Sequence, residues 1–409
     1  MSTTGISDSR AKTAQFALML SFFTQGVAAL SWMPRIPEFI DNLQVSKELW
    51  GAIIGFGGAG AIIPLIFTSR LVIRFGTTPL IKWSSYSVVA ILLAMPYPTQ
   101  WWLFLVLHFM LSFAINVFNI ALNSQAVMFQ KRVDKVLLGT FHGSWSVGAA
   151  ASAAVSSVIA SFTPLKVQMF IMPAVCLVLF LWSAKHMLQP AESDSVDRDI
   201  PTERISWLKT PSFLWLLAIG GFMGMWPELV IMDWASVYGK EVVGVDSSRA
   251  AWPYTLFVMA MILGRFSIGR LTKKYNVARL SQVGGIFGSM ALAIAVFASA
   301  SIAESNQDLA LLVLCVFFAI AGLGISSMVP GYFSAAGNVE GLSTAQALSR
   351  LLMFNTVVVI FAKMFMGSLI DASSLPLAMI FPIITFAIAG VIAGFVANKH
   401  RDIKLNPDL

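Results

Sequence analysis

Residues 101–128 read WWLFLVLHFMLSFAINVFNIALNSQAVM, a run without a single Asp, Glu, Lys or Arg. Wound into an α-helix at 1.5 Å per residue, it extends about 42 Å, further than the roughly 30 Å hydrocarbon core of a bilayer. The same ruler laid along the 409-residue chain finds twelve apolar segments of spanning length. Six fall at 13–34, 49–68, 79–95, 101–128, 137–162 and 167–184, and six more at 211–237, 250–268, 281–300, 308–328, 345–369 and 375–397. Closed β-barrels are the other spanning solution, but these runs are too long and lack the strict alternation of barrel strands. The reading is an all-α membrane protein with twelve transmembrane helices.

Composition agrees. Hydrophobic residues make up 57% of the chain and charged residues 11%, against about 25% charged in soluble domains. Mean hydropathy is +0.78. Low charge with high hydrophobicity excludes disorder. The two cysteines, Cys176 and Cys315, lie in apolar runs, where a thiol acts as a small hydrophobe.

A net charge of +7 raises the question of nucleic acid. Its distribution answers differently. With the N-terminus in the cytoplasm, 21 of the 27 Lys and Arg fall on cytoplasmic loops, termini or helix ends, Arg265 and Arg350 among them. Five fall outside, and Lys363 lies within a span. This is the positive-inside bias. It places both termini in the cytoplasm of a multi-pass protein of the cytoplasmic (inner) membrane, with the lipid bilayer as partner and no nucleic acid. The first apolar run has no small-residue cleavage site after it and reads as an uncleaved helix. Tryptophans 50, 101, 102 and 252 at the outer ends and 182, 207 and 215 at the inner ends read as interface belts.

The longest polar stretch, 185–210, separates six spans from six and reads as a cytoplasmic linker between an N-terminal bundle, 1–184, and a C-terminal bundle, 211–409. The halves echo each other. Ser69-Arg70-Leu71-Val72-Ile73-Arg74-Phe75-Gly76 follows the second span, and Gly269-Arg270-Leu271-Thr272-Lys273-Lys274-Tyr275-Asn276 follows the eighth, an offset of 200. Parallel internal repeats are a mark of secondary transporters.

On these residues the sequence resembles the major facilitator superfamily. Its loop motif runs small-x-x-x-acid-basic-x-Gly-basic-basic. Ser69, Arg74 and Gly76 fit it, while Ile73 replaces the acid and Thr77 and Thr78 the basic pair. In the second half Gly269 and Lys274 fit, and Lys273 stands in the acid's place. The resemblance gives Arg70, Arg74, Gly76, Gly269, Arg270 and Lys274 a role in stabilising one conformation of two pseudo-symmetric six-helix bundles. Trp32-Met33-Pro34-Arg35-Ile36-Pro37, Phe141-His142-Gly143-Ser144-Trp145-Ser146-Val147-Gly148 and Asp233-Trp234 resemble a narrower branch, associated with rhizopine transport and fucose-permease-like carriers.

An ionisable side chain inside a span costs about 2.5–3.5 kcal/mol on insertion scales and is a functional candidate by default. Glu228, Asp233 and Lys363 are three such residues. Measured from the starts of their helices, Glu228 and Lys363 reach a similar depth. Lys363 is therefore expected to pair with Glu228 first and Asp233 second, as a switch sensing protonation or an anionic substrate, or as a fixed structural pair. Asn116, Asn119 and Asn123, spaced three and four apart, share one face of the fourth span, with Gln125 near its edge. Amides both donate and accept, which suits a hydroxylated ligand and equally suits hydrogen bonding between helices. Gln25, Trp32, Trp145 and Trp226 are further candidates to line a central cavity, with an aromatic face for a sugar ring; so is Asn355 on the eleventh span, beside Arg350. The glycines at 51, 55, 57, 58 and 60 and at 284, 285 and 288 lack a Lys-Ser/Thr ending and read as close helix packing, not nucleotide loops. Prolines 34, 37, 64, 227 and 330 are candidate bends.

The expected function is secondary active transport of a small polar metabolite, sugar- or polyol-like, by alternating access. Protons are the candidate coupling ion, the chain acts as a monomer, and there is no cofactor or metal. An exporter of drugs or metabolites is the alternative within the class, and a non-transporting sensor the alternative outside it. With four His and no His-Glu-x-x-His pattern, an enzyme is not expected.

Overall fold

Proline sets the first breaks, because it has no N–H to give to the carbonyl four residues earlier and its ring crowds that carbonyl. In the computed structural model, residues 7–133, 137–160, 162–188, 210–339, 341–342 and 344–405 are described. Helix α1 (Asp8–Leu30) ends where Pro34 would have bonded Leu30, and a 3₁₀ turn (Met33–Arg35) leads into α2 (Ile36–Leu43). Pro64 does the same to Gly60: α3 (Lys47–Gly58) passes through a 3₁₀ turn (Ala59–Ala61) into α4 (Ile62–Phe75). Pro330 marks the step from α13 (Gln307–Ile325) to α14 (Met328–Ala336). Pro227 is carried inside α9 (Ser212–Tyr238) without ending it.

The remaining elements are α5 (Thr77–Ala94), α6 (Trp101–Val133), α7 (Leu138–Ile159), α8 (Leu165–His186), α10 (Ser247–Ala250), α11 (Trp252–Leu271), α12 (Val277–Ala303), α15 (Thr344–Ala372), α16 (Leu375–Ala378) and α17 (Ile380–Leu405). A π-helical turn, Gly239–Val243, closes α9. Among the described residues there is no strand, and ten helical segments are long and apolar enough to cross a membrane. The twelve expected spans are thus not all matched. α5 and α7 fall short, the first carrying Lys82 and a Ser-rich start, the second a run of Gly, Ser and Ala. Of the expected linker, 189–209 lies outside the described residues.

The contacts divide the chain into two compact units, Met1–Met33, Glu38–Val45 and Phe56–Glu203 in one, and Pro34–Pro37, Ser46–Gly55 and Arg204–Leu409 in the other. This differs from a division at the linker alone, since two short segments from the first third of the chain cluster with the second unit. In the first unit α1 packs on α7 and α8, α5 on α6 and α8, and α4 on α6. In the second, α9 packs on α15 and α17, α12 on α13 and α17, and α11 on α13. Each packing in the first set has its counterpart in the second, in the same chain order.

Small residues permit these contacts. A Cβ on Gly148 would lie 2.0 Å from the Phe23 carbonyl oxygen, and one on Gly26 would lie 2.2 Å from that of Trp145. Ser152 and Ser156 on α7 extend the seam, donating to the carbonyls of Val27 and Ser31 at 2.9 Å each. In the second unit the start of α3 docks on α15. The Lys47 and Glu48 amides donate to the Asp371 carboxylate at 3.2 and 2.8 Å, and Lys47 Nζ meets Glu241 Oε1 at 2.6 Å.

Candidate functional site

The chemistry of the second unit gathers on α9, α11 and α15. Lys363 Nζ on α15 lies 2.7 Å from Asp233 Oδ2 on α9, and both side chains are largely buried. Glu228, also on α9, does not meet Lys363. Its two carboxylate oxygens accept from Arg265 Nη2 on α11 at 3.0 and 2.9 Å. The first-choice pairing expected from depth is therefore replaced by the second, for a geometric reason. Depth along a helix says nothing about azimuth. Residues five apart on an α-helix differ by about 140° around its axis, so Glu228 faces one neighbour and Asp233 another. Arg265, counted by sequence among the cytoplasmic helix ends, sits within α11.

These pairs satisfy a strong constraint. A lone charge in hydrocarbon is expensive, and intramembrane ionisable groups pair with one another or face a wet cavity. Tyr254 on α11 is fully buried and close enough to feel the Asp233 charge, and its hydroxyl has no hydrogen-bond partner among the described residues.

Trp226 lies seven residues before Asp233, two turns away on nearly the same face of α9. Its indole stacks on Phe222 with centroids 5.9 Å apart and meets Phe381 edge-on at 6.2 Å. On α15, Asn355 is buried near α9, where a Cβ on Gly221 would lie 3.6 Å from its Nδ2. Trp226 Nε1 and Asn355 Oδ1, one donor and one acceptor, are buried without hydrogen-bond partners among the described residues. Orphaned buried polar atoms cost about 1–3 kcal/mol each and call for an explanation. Arg350 on α15 donates to Thr210 Oγ1 at 2.6 Å and is buried, not a snorkelling residue at a helix end.

In the first unit Gln25 on α1 is buried with Oε1 unpartnered among the described residues. Trp32 is buried edge-on between His108 and Phe39, with centroids 5.4 and 6.1 Å apart, which is a packing environment. Asn123 Nδ2 donates to the Asn119 carbonyl at 2.8 Å and to Asn119 Oδ1 at 2.7 Å, so those amides are partly spent on each other. Asn116 and Trp145 are half-buried. Gln125 is a structural tie: it accepts from Thr77 and Thr78 at 2.8 and 3.2 Å and donates to the Leu188 carbonyl at 2.9 Å.

The loop repeat has a structural counterpart. Arg74 lies over the Phe75 ring at 5.2 Å and Lys274 over the Tyr275 ring at 5.3 Å. Arg70, Arg74, Gly269, Arg270 and Lys274 are all exposed. Gly76 has φ +81° between α4 and α5, whereas its repeat partner Asn276, at φ −65°, caps α12 through its side chain. Sequence reasoning missed Arg265 and Tyr254. An arginine inside an apolar run was the available signal for the first, and a lone tyrosine gave none for the second.

The family model described as Major Facilitator Superfamily matches residues 13–340. An uncharacterized transporter y4wD from Sinorhizobium fredii is 25% identical over 391 residues, covering 92% of this chain and 94% of that protein. The membrane protein MosC from Rhizobium meliloti is 21% identical over 394 residues, covering 96% and 92%. Among solved structures, the nucleoside transporter NupG aligns with TM-score 0.69 and 14% identity, over 94% of this chain and 98% of that one. A D-xylose-proton symporter aligns with TM-score 0.68 and 12% identity, over 94% and 96%. At these identities the structures speak for the fold alone. Helices of spanning length, a repeated order of packing and a family match across most of the chain converge, and the chain belongs to the Major Facilitator Superfamily of membrane transporters, not to an enzyme family.

Proposed function

We propose that this protein is a secondary active transporter that moves a small polar metabolite, sugar- or polyol-like, across the cytoplasmic membrane by alternating access. One observation carries the reading: α9 and α15 bear a buried Asp233–Lys363 pair together with Trp226 Nε1 and Asn355 Oδ1, which have no hydrogen-bond partners among the described residues. A polyhydroxylated ligand supplies both donors and acceptors to such atoms, and its apolar ring face suits the Trp226–Phe222 surface. Protonation of Asp233 releases Lys363, which couples the site to a proton gradient. In this reading twelve spans form two six-helix halves, 1–184 and 211–409, joined by the linker 185–210, with both termini cytoplasmic and a monomer as the working unit.

The test is flux in proteoliposomes after a thermal-shift screen of pentoses, polyols and nucleosides. A hit from that screen is expected to move against its gradient when a pH gradient is imposed. Trp226→Phe and Asn355→Leu are expected to raise KM at least tenfold. Uptake of the hit unaffected by the pH gradient removes the proton coupling, and unaltered KM in both variants removes the site.

A further inference from the structure

One concavity of the first unit is not polar. It is an open groove of about 440 Å³ on the side of α4, α5 and α6, walled by Phe67 and Leu71, by Leu80 and Trp83, and by Met110 and Phe113. Two of its lining residues are hydroxylic, Ser84 and Ser87. Both hydroxyls are committed to their own helix, donating to the carbonyls of Leu80 at 2.6 Å and Trp83 at 2.8 Å. The groove therefore offers nothing to a polar substrate. Its wall is nonetheless open to the outside, with Trp83 58% and Met110 49% exposed. On helices that cross a membrane, an exposed apolar wall faces hydrocarbon.

One end of the groove is cationic. Phe67, Leu71 and Arg74 are spaced four and three apart and share a stripe of α4, so Arg74 continues the groove wall by one turn. The continuation is held by aromatic contacts: the Arg74 guanidinium lies 5.2 Å from the Phe75 centroid, and Phe75 meets Trp83 of the groove edge-on at 5.8 Å. Arg70, three residues after Phe67 and four before Arg74, shares that stripe. Neither Arg70 nor Arg74 has a hydrogen bond or ion pair with a described residue. Two cations with no ion pair among the described residues, beside a hydrocarbon-lined groove, match a molecule with an anionic head and an apolar tail.

We infer that this groove binds one anionic phospholipid, its acyl chain against Phe67, Phe113 and Trp83 and its phosphate beside Arg70 and Arg74. Basic residues next to the membrane surface attract anionic lipid strongly enough that each is worth about fivefold in affinity. The site is separate from the transport site and stands whether or not that proposal holds.

The experiment is native mass spectrometry of the full chain in neutral detergent with equimolar dioleoyl-phosphatidylglycerol and dioleoyl-phosphatidylcholine. The wild type is expected to retain one phosphatidylglycerol in clear preference to phosphatidylcholine, and excess inorganic phosphate is not expected to displace it. Changing Arg70 and Arg74 together to Gln is expected to bring the two lipids to parity. Ser87→Trp, which fills the groove from its exposed wall, is expected to remove the bound lipid of either class. Equal retention by the wild type overturns the inference without recourse to any variant, so a misfolded variant does not shelter it. Displacement by inorganic phosphate, a preference surviving the double change, or a dimer whose partner excludes lipid from the groove each overturns it as well.

Discussion

Asp233 and Lys363 hold each other in a setting where neither is tolerated alone, and that mutual dependence is measurable. Removing one partner of a buried pair leaves an uncompensated charge and costs about 3–5 kcal/mol, while removing both is often nearly neutral. Asp233→Asn and Lys363→Met are each expected to lower stability in detergent by that order, and the double variant to recover most of the loss. Additive losses would mean the 2.7 Å contact carries no energy. The double variant is further expected to lack pH-driven uptake despite its restored stability, which separates coupling from folding. Sequence made these residues visible because a charge in an apolar run is conspicuous. It did not fix who pairs with whom, because the choice between Glu228 and Asp233 depends on azimuth and on Arg265, whose depth in α11 no loop count reveals. Gln125 has the converse history. It stands near a face of amides that suggests ligand binding, yet its three hydrogen bonds fasten the start of α5 to the end of α8. Gln125→Leu is expected to cost about 1–3 kcal/mol by stranding those groups, with KM for the transported hit unchanged.

At the scale of elements, the chain's breaks were legible and its seams were not. Prolines 34, 64 and 330 foretell the three interruptions because a missing N–H acts locally. That Gly26 must face Gly148 is a tertiary fact, invisible until α1 and α7 are side by side. Gly148→Leu is expected to force that seam apart and cost at least about 1–3 kcal/mol, whereas the same change at Gly139, where a Cβ meets nothing, is expected to be tolerated. A shift no larger at Gly148 than at Gly139 would deny the close contact. The cap of α10 gives a pH signature. Asp246 accepts from the Ser248 hydroxyl and from the amides of Ser248 and Arg249 at 3.0 and 3.2 Å. The Ser248 hydroxyl bond above all, with those amides and the Arg249 charge, holds its carboxyl below the usual Asp range against a smaller opposing effect of burial. A depressed native pKa adds stability that is present above the unfolded-state pKa and lost as pH falls through the native value. Asp246→Ala is expected to cost about 1 kcal/mol at neutral pH, and that difference is expected to vanish as the detergent-solubilised protein is titrated well below pH 4. A difference constant with pH would place its origin elsewhere than in the carboxylate.

For the whole molecule the open question is whether α5 and α7 cross the membrane, since length and composition alone admit ten spans. Charge and connectivity argue for crossing by parity. Arg70 and Arg74 end α4, Lys82 opens α5, and Lys131 and Arg132 end α6. Were α5 to lie on the surface, α6 would begin on the side of Arg74 and deliver Lys131 and Arg132 to the opposite side, reversing the positive-inside bias that governs short loops. The same holds for α7, which carries the chain away from Lys131 and Arg132 and is followed by α8, whose far end bears Lys185. Both are therefore expected to cross, and the low hydropathy of each has a physical reason. α5 and α7 bury polar and small faces against α6, α8 and α1, as Ser84, Ser85, Ser152 and Ser156 show, and so need less lipid-facing hydrocarbon than an exposed helix. An impermeant maleimide applied to intact cells should label a cysteine placed at Gln100 or Thr163 and spare one placed at Thr78 or Gly139, Cys176 and Cys315 being buried and silent. Protection of Thr163→Cys while Gln100→Cys is labelled would put α7 on the surface, and protection of Gln100→Cys would do the same for α5. In either case the two halves would lose their equal span count, and the repeated order of packing would require an explanation other than a duplicated six-helix bundle.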